Sequence, residues 1–155
     1  MPANPDPEIR LAVASDRPAI VACVTAAYAG YVARIGRAPA PMHAEYASLI
    51  ERGVVYVLAD LATAGVRGVI VLWPVDDAMY IDNVAVDPRY QGQGLGRRLI
   101  AFAESRAHAA GLSAITLYTN EAMTENLAFY DRLGFVEVDR RLADGYRRVF
   151  LRKPL

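Results

Sequence analysis

The segment that most constrains this chain begins as Tyr80-Ile-Asp-Asn-Val-Ala-Val86 and turns at Asp87-Pro-Arg-Tyr90. It continues as Gln91-Gly-Gln-Gly-Leu-Gly96-Arg97-Arg98. The first part alternates as a strand. The three glycines then feed a helix whose apolar positions Leu95, Leu99, Phe102 or Ala103, and Ala107 recur at three- and four-residue steps. A glycine loop entering a helix leaves three or four backbone N–H groups without helical partners. The helix dipole adds about half a positive charge, and the absence of side chains lets a ligand reach the backbone. An anion site is predicted there, and a diphosphate fits it. Arg97 and Arg98 point the same way, because a cation in a first helical turn is disfavoured by about 0.3–1 kcal/mol unless something negative lies nearby. Either arginine taken singly is equally well explained by a solvated helix start.

The rest of the chain bounds what can surround this loop. Its 155 residues suit one domain, and 54% hydrophobic against 22% charged residues suits a packed core, which excludes disorder as the main state. Seventeen basic and seventeen acidic side chains cancel, so no net field gathers nucleic acid. The lone Cys23 allows no internal disulfide and suits a reducing, cytoplasmic setting. The opening residues lack the pattern of a secretion signal, and no stretch is expected to reach the roughly 20 apolar residues that cross a bilayer, so no membrane partner is expected.

Residues 1–8, rich in proline, read as a disordered lead, and 9–155 as the single domain. A strand over Ile9–Ala14 leads to Ser15-Asp16, an N-cap for a helix with Pro18 in its first turn. The buried face of that helix should carry Ile20, Val24, Ala27, Tyr28 and Tyr31, with Cys23 among them as a small hydrophobe. Gly36 to Pro41 break it, and Met42–Arg52 resume a helix. Three strands follow, at Val54–Ala59, Gly65–Pro74 and Met79–Val86, as a meander with turns at Ala64-Gly65 and Asp76-Asp77. After the central helix, closed by Gly111, come a strand at Ser113–Thr119 and a helix at Thr124–Leu133 ended by Gly134. Two last strands, Phe135–Arg140 and Tyr146–Leu151, flank Asp144-Gly145. The fold class is α/β, α+β mixed, with a mixed central sheet of about seven strands and four helices.

Competing glycine motifs fail: no Gly-Lys-Ser/Thr is present, and a Gly-x-Gly-x-x-Gly starting at Gly92 is broken at Arg97. What fits is Gln-x-x-Gly-x-Gly at Gln91, Gly94 and Gly96 after a strand ending at Val86. Downstream stands Asn126-Leu-Ala-Phe-Tyr130-Asp-Arg-Leu-Gly-Phe135. In these two blocks the chain resembles the GCN5-related N-acetyltransferase (GNAT) family, over roughly Met79 to Phe135. The resemblance implies a GNAT-like acyl-CoA acyltransferase fold and acetyl-CoA as cofactor. Its pyrophosphate would lie on the loop of Gln91, Gly92, Gln93, Gly94, Leu95, Gly96 and Arg97. Its pantetheine would pair with the backbone of Val84, Ala85 and Val86 as an added strand, beside Asn126 and Tyr130.

Acetyl transfer to an amine needs a neutral nucleophile, a stabilised oxyanion and a leaving thiolate that is not left bare. The resemblance implies the backbone N–H near Val84 for the oxyanion, and Tyr130 as hydrogen-bond donor to the departing sulfur. For the base, strand alternation puts Asp82 and Tyr80 on one face with Val84. Asp82 is the first candidate, an ion pair with Arg34 or Arg37 is its alternative explanation, and Glu45 and His43 are the alternates. The acceptor pocket is expected from Tyr28, Tyr31, Met42 and Tyr46 under a Pro39-Ala-Pro41 roof, although core packing accounts for the same spacing. Arg34 and Arg37 would suit an acidic acceptor. Two scattered histidines, His43 and the solvated His108, support neither a metal site nor a Ser-His-Asp triad. The implied activity moves acetyl from acetyl-CoA to a primary amine on a small molecule, a peptide N-terminus or a lysine, by direct attack in a ternary complex. The alternative is a non-catalytic acyl-CoA sensor or partner-recognition module. The final strand pair could also join across a homodimer.

Overall fold

The structure is a computed structural model and describes residues 7–63 and 65–155. Seven strands form one sheet in the order β1-β2-β3-β4-β5-β7-β6. They are β1 (Glu8–Leu11), β2 (Val55–Ala59), β3 (Val66–Val75), β4 (Ala78–Val86), β5 (Ala114–Asn120), β6 (Val136–Ala143) and β7 (Tyr146–Pro154). The helices are α1 (Arg17–Tyr28), its one-turn continuation α2 (Val32–Ile35), α3 (Tyr46–Glu51), α4 (Leu95–Ala109) and α5 (Thr124–Arg132). Strands β2, β3 and β4 form the antiparallel meander read from the sequence. The single parallel pair is β4 with β5, reached by the crossover through α4.

The sheet is packed on both faces. On one, Ile70, Leu72, Met79 and Ile81 meet Leu95, Leu99, Ile100 and Ala103 of α4 together with Tyr130 and Phe135. On the other, Val55, Val57, Val69, Val71 and Ala85 meet Ile20, Cys23 and Val24 of α1 and Tyr46 of α3. Burying a Leu or Ile side chain contributes about 1.5–3 kcal/mol, so the alternation of β3 between these faces supplies much of the cohesion. Gly68 marks the tightest approach to α4: a Cβ there would lie 3.1 Å from Leu99.

Several sequence expectations need correction. Of the expected eight-residue lead, 1–6 lie outside the described residues, whereas Pro7 is buried and Glu8 opens β1. The turn at Ala64-Gly65 is described only at Gly65. Asp16 does not cap α1 in the forward direction. Its carboxylate instead accepts from Val13 N–H at 2.8 Å and from both terminal nitrogens of Arg10 at 2.8 and 3.0 Å, tying β1 to the start of α1. The helical stretch Ala14–Ile35 is, by length and composition, apolar enough to cross a membrane, contrary to the expectation of none. Its alanines and valines outweigh Asp16, Arg17 and Arg34, and here Ile20, Cys23 and Val24 are spent against the sheet. Tyr31 leaves the buried face because a 3-10 turn at Ala29–Tyr31 rotates the chain after Tyr28.

Candidate active site

The site starts where β4 and β5 part. Their pairing ends at Ile81 opposite Leu117, while β4 runs on to Val86 and β5 to Asn120, leaving a cleft between them. Asp87 N–H donates to Arg67 O at 2.9 Å, which sets the antiparallel alternation along β4. Ala85 and Asn83 therefore turn their backbone polar groups toward β3, and Val84 and Val86 turn theirs into the cleft. Both cleft-facing carbonyls have side-chain partners: Val84 O accepts from the Tyr28 hydroxyl at 3.1 Å, and Val86 O from Gln91 Nε2 at 3.3 Å. Among the described residues the N–H groups of Val84 and Val86 have no partner and remain as an open strand edge. Ala85, expected to pair with the pantetheine, offers the cleft neither group: its backbone is bonded toward β3 and its side chain is buried on the opposite face.

Tyr28 lines the cleft, and its one hydroxyl hydrogen is shared between Val84 O and the nearer Asn83 Oδ1, at 2.7 Å. Asn83 Nδ2 donates to the Tyr46 hydroxyl at 3.1 Å, and that hydroxyl donates to Pro41 O at 2.7 Å. The chain Tyr28–Asn83–Tyr46 thus fixes the β4 edge and holds the Pro39–Pro41 roof over the cleft. Tyr46 is a core residue, not a pocket wall. Met42 is half-buried beside the roof without lining the cleft. Tyr31 sits on the exposed rim, its hydroxyl 3.5 Å from Glu125. Glu125 is also gripped by Arg34 at 3.0 Å, and Arg37 donates to Asp144 O, so neither arginine pairs with Asp82.

Asp82 does line the cleft, but not by the alternation assumed. Val71 pairs with Asn83 and Leu72 with Ile81, so Asp82 is the extra residue of a β-bulge. The bulge swaps the faces of β4. Val84 and Val86 pack with the α4 core, as do Met79 and Ile81, while Tyr80 packs on Trp73 of the opposite face with ring centroids 5.3 Å apart. The Tyr80 hydroxyl donates to Asp82 Oδ1 at 3.4 Å. Burial pushes the Asp82 carboxyl above its ordinary value, against the pull of the Tyr80 hydrogen bond and the charges of Arg148 and Arg52. Burial likewise pushes the Tyr80 phenol up, with Tyr118 and Asp82 adding to the shift. His43 and Glu45 are exposed and away from the cleft, as is His108.

The glycine loop forms the second half. Gly92 (φ +81°) and Gly94 (φ +78°) occupy the left-handed region, with open space where a Cβ would stand. Among the described residues, no backbone acceptor takes the six consecutive N–H groups from Gly92 to Arg97, and the first α4 bond is Arg98 N–H to Gly94 O at 3.1 Å. Gly96 lies against Phe129, whose ring a Cβ would approach to 3.3 Å, so helix α5 packs directly beside the loop. Arg97 and Arg98 are exposed and form no ion pair among the described residues. Arg97 borders the groove, as do Gln91, Gly92, Gly94, Leu95 and Gly96; Gln93 and Arg98 face outward.

Tyr130 and Asn126, one turn apart on α5, border both the cleft and the loop groove and so join the two. The Tyr130 ring is wedged between Phe129 and Phe135 at 5.2 and 5.4 Å. Its hydroxyl bonds to no described residue, and burial alone pushes its pKa up, which keeps the proton on. The far wall of the cleft was not anticipated. It comprises Tyr118, Asn120, Tyr146 and Arg148, the last with the guanidinium 4.1 Å above the Tyr118 ring. In sequence, only the shared two-residue step of Arg148 and Phe150, opposite to buried Val149 and Leu151, hints that Arg148 faces inward.

Comparison with known proteins agrees with this architecture. Residues 27–135 match the model of the Acetyltransferase (GNAT) family. Among curated relatives, mycothiol acetyltransferase of Streptosporangium roseum is 43% identical over 56 residues, 36% of this chain and 17% of that protein. The [Ribosomal protein bS18]-alanine N-acetyltransferase of Escherichia coli K12 is 35% identical over 65 residues, 42% of this chain and 44% of that protein. The matched part thus spans less than half the length of either relative. Among solved structures, the PaiA N-acetyltransferase of Thermoplasma acidophilum in complex with coenzyme A superposes with a TM-score of 0.78 at 17% identity, covering 96% of this chain and 98% of that one.

Proposed function

The chain belongs to the GNAT acetyltransferase family, and from that premise we propose that it moves acetyl from acetyl-CoA to a primary amine by direct attack within one ternary complex. The observation that carries the proposal is the continuity of three features. A cradle of six unpartnered N–H groups meets an open strand edge, and a protonated, unbonded tyrosine hydroxyl lies between them. The first fits a diphosphate, the second a chain of amides, and the third a sulfur at their junction. Acetyl-CoA, when bound, supplies an acetyl group already activated as a thioester.

Each residue then has one task. Amides Gly92 to Arg97 receive the diphosphate, with Gln91 bracing the loop against Val86. The Val86 N–H holds the pantetheine arm, and Asn126 borders it. The Val84 N–H is the donor for the developing oxyanion. Tyr130 donates a hydrogen bond to the departing sulfur. Full proton transfer from a phenol of pKa about 10 to a thiolate of about 8.5 is already uphill, and burial of Tyr130 makes it more so, which leaves hydrogen bonding as its role.

Asp82 takes the amine proton, directly or through water. An alkyl ammonium of pKa about 10.4 costs roughly 4.6 kcal/mol to deprotonate at pH 7, so a carboxylate held above its usual range is a better-matched base than an exposed one. Tyr28 and the Pro39–Pro41 roof would border the acceptor. A continuous thiol-release assay with acetyl-CoA and a panel of amines tests the proposal. Release that depends on the amine supports transfer, whereas CoA binding without turnover on any amine would indicate a sensor instead.

A further inference from the structure

On the acetyltransfer reading above, we propose that the acceptor is an anionic amine: a small molecule whose amine is followed within a few bonds by a carboxylate or phosphate, which Arg148 receives. The residue is 8% exposed and lies in the cleft wall with Asp82, on the side away from the glycine loop. Its guanidinium carbon lies 4.1 Å from the centre of the Tyr118 ring and 5.4 Å from that of Tyr146. Among the described residues, NH1 alone of its three nitrogens has a partner, Asp144 Oδ2 at 2.9 Å. Among the described residues no side-chain nitrogen or oxygen sealed from solvent lacks a partner. The N–H groups without a partner therefore reach solvent, and the cleft is the solvent-filled space that Arg148 lines. A planar guanidinium with free donors on one edge matches an oxyacid group bidentately, and aromatic rings beside it favour that residue type.

Apart from Asp82 in the same cleft, the surroundings bring little negative charge to this cation. Asp144 is a turn residue with an 81% exposed side chain, so its charge is largely screened by water. At the cleft mouth, which shares Asn120 and Tyr146 with the cleft, Arg37 is bonded to a carbonyl and stacked 3.5 Å over Tyr146. Arg147 has no acidic partner among the described residues. The acids there are already taken, Glu121 by Arg140 and Glu125 by Arg34. Asp82 and Arg148 thus present opposite charges to one acceptor, the first for its ammonium end and the second for its anionic end. Both residues line one cleft with an enclosed volume of about 50 Å³, which suits a small acceptor group.

The test measures kcat/KM by thiol release for glycine, β-alanine and 4-aminobutyrate (carboxylate), phosphoethanolamine (phosphate), propylamine (neutral) and 1,3-diaminopropane (cationic). At least one anionic amine should exceed propylamine by about 30-fold or more, with the better of the carboxylate and phosphate arms identifying the group. Arg148→Gln should shrink that ratio to about threefold or less while retaining CoA binding by calorimetry. Asp144→Asn, tolerated at its positive φ of 53°, should lower KM for the anionic amine and raise the ratio. Turnover with neutral or cationic amines preferred, a ratio unmoved by Arg148→Gln, or a ratio that falls in Asp144→Asn overturns the proposal. Absence of both CoA binding and turnover would instead strike the acetyltransfer reading on which it rests.

Discussion

Replacing Tyr130 with phenylalanine removes one oxygen and nothing else that the fold uses. The ring stays between Phe129 and Phe135, and the lost hydroxyl had no bond to a described residue. Melting should therefore shift by no more than about 0.5 kcal/mol equivalent, the range of substitutions that break no interaction. Turnover is a different matter, because a hydrogen bond to a charged group is worth about 1.5–3 kcal/mol. If the hydroxyl meets the departing thiolate, kcat should fall roughly 10- to 150-fold, while CoA affinity by calorimetry stays within about threefold, since the diphosphate cradle is untouched. Burial keeps the phenol protonated, so the defect should be constant from about pH 6 to 9. A kcat within about twofold of the parent, with melting unchanged, would refute the role. A defect confined to CoA binding would show that Tyr130 only shapes the groove.

Asp82→Asn should lower kcat by roughly 100-fold and remove the rising limb of the pH–rate profile. In the parent, activity grows as Asp82 ionises, so that limb should lie above the ordinary carboxylate range; a limb that survives the substitution would exclude Asp82 as the base. Gly94→Val forces a β-branched residue to φ +78°, costing about 1–2 kcal/mol of stability and lowering CoA affinity at least tenfold, read by melting and calorimetry. Asp16→Asn gives up charge-assisted bonds to Arg10, for about 2 kcal/mol in denaturant unfolding at neutral pH. The Arg10 hydrogen bond holds the Asp16 carboxyl below its unfolded value, so this contribution is complete above about pH 4 and disappears as pH falls through the folded value. The difference between variant and parent should close in acid.

Local patterns carried the architecture: β-branched runs bounded by turn signals for β2 to β4, glycines at the loop and at the ends of α4 and α5, and the spacing of Leu95, Leu99 and Ala107. These are decided within a few residues of themselves, and their boundaries matched to within one or two positions. What was not legible depends on partners distant in sequence. The bulge at Asp82 exists because β3 offers Val71 and Leu72 to Asn83 and Ile81, so counting by twos put Tyr80 and Val84 on the same face. Tyr46 has the spacing of a pocket residue but is buried as the link between Asn83 and Pro41. Asn83 looks like a strand polar residue until Tyr28 and Tyr46 close around it. Arg148 sits among charged neighbours at Arg147, Arg152 and Lys153, and only the pairing of β5 with β7 turns it toward Tyr118.

Isothermal titration of CoA into the purified protein and into its Gly94→Val variant tests the central claim most directly. Saturable one-to-one heat for the parent, weakened at least tenfold in the variant, is the predicted result. No heat for the parent, or equal affinity in both proteins, would contradict a diphosphate resting on the amides from Gly92 to Arg97.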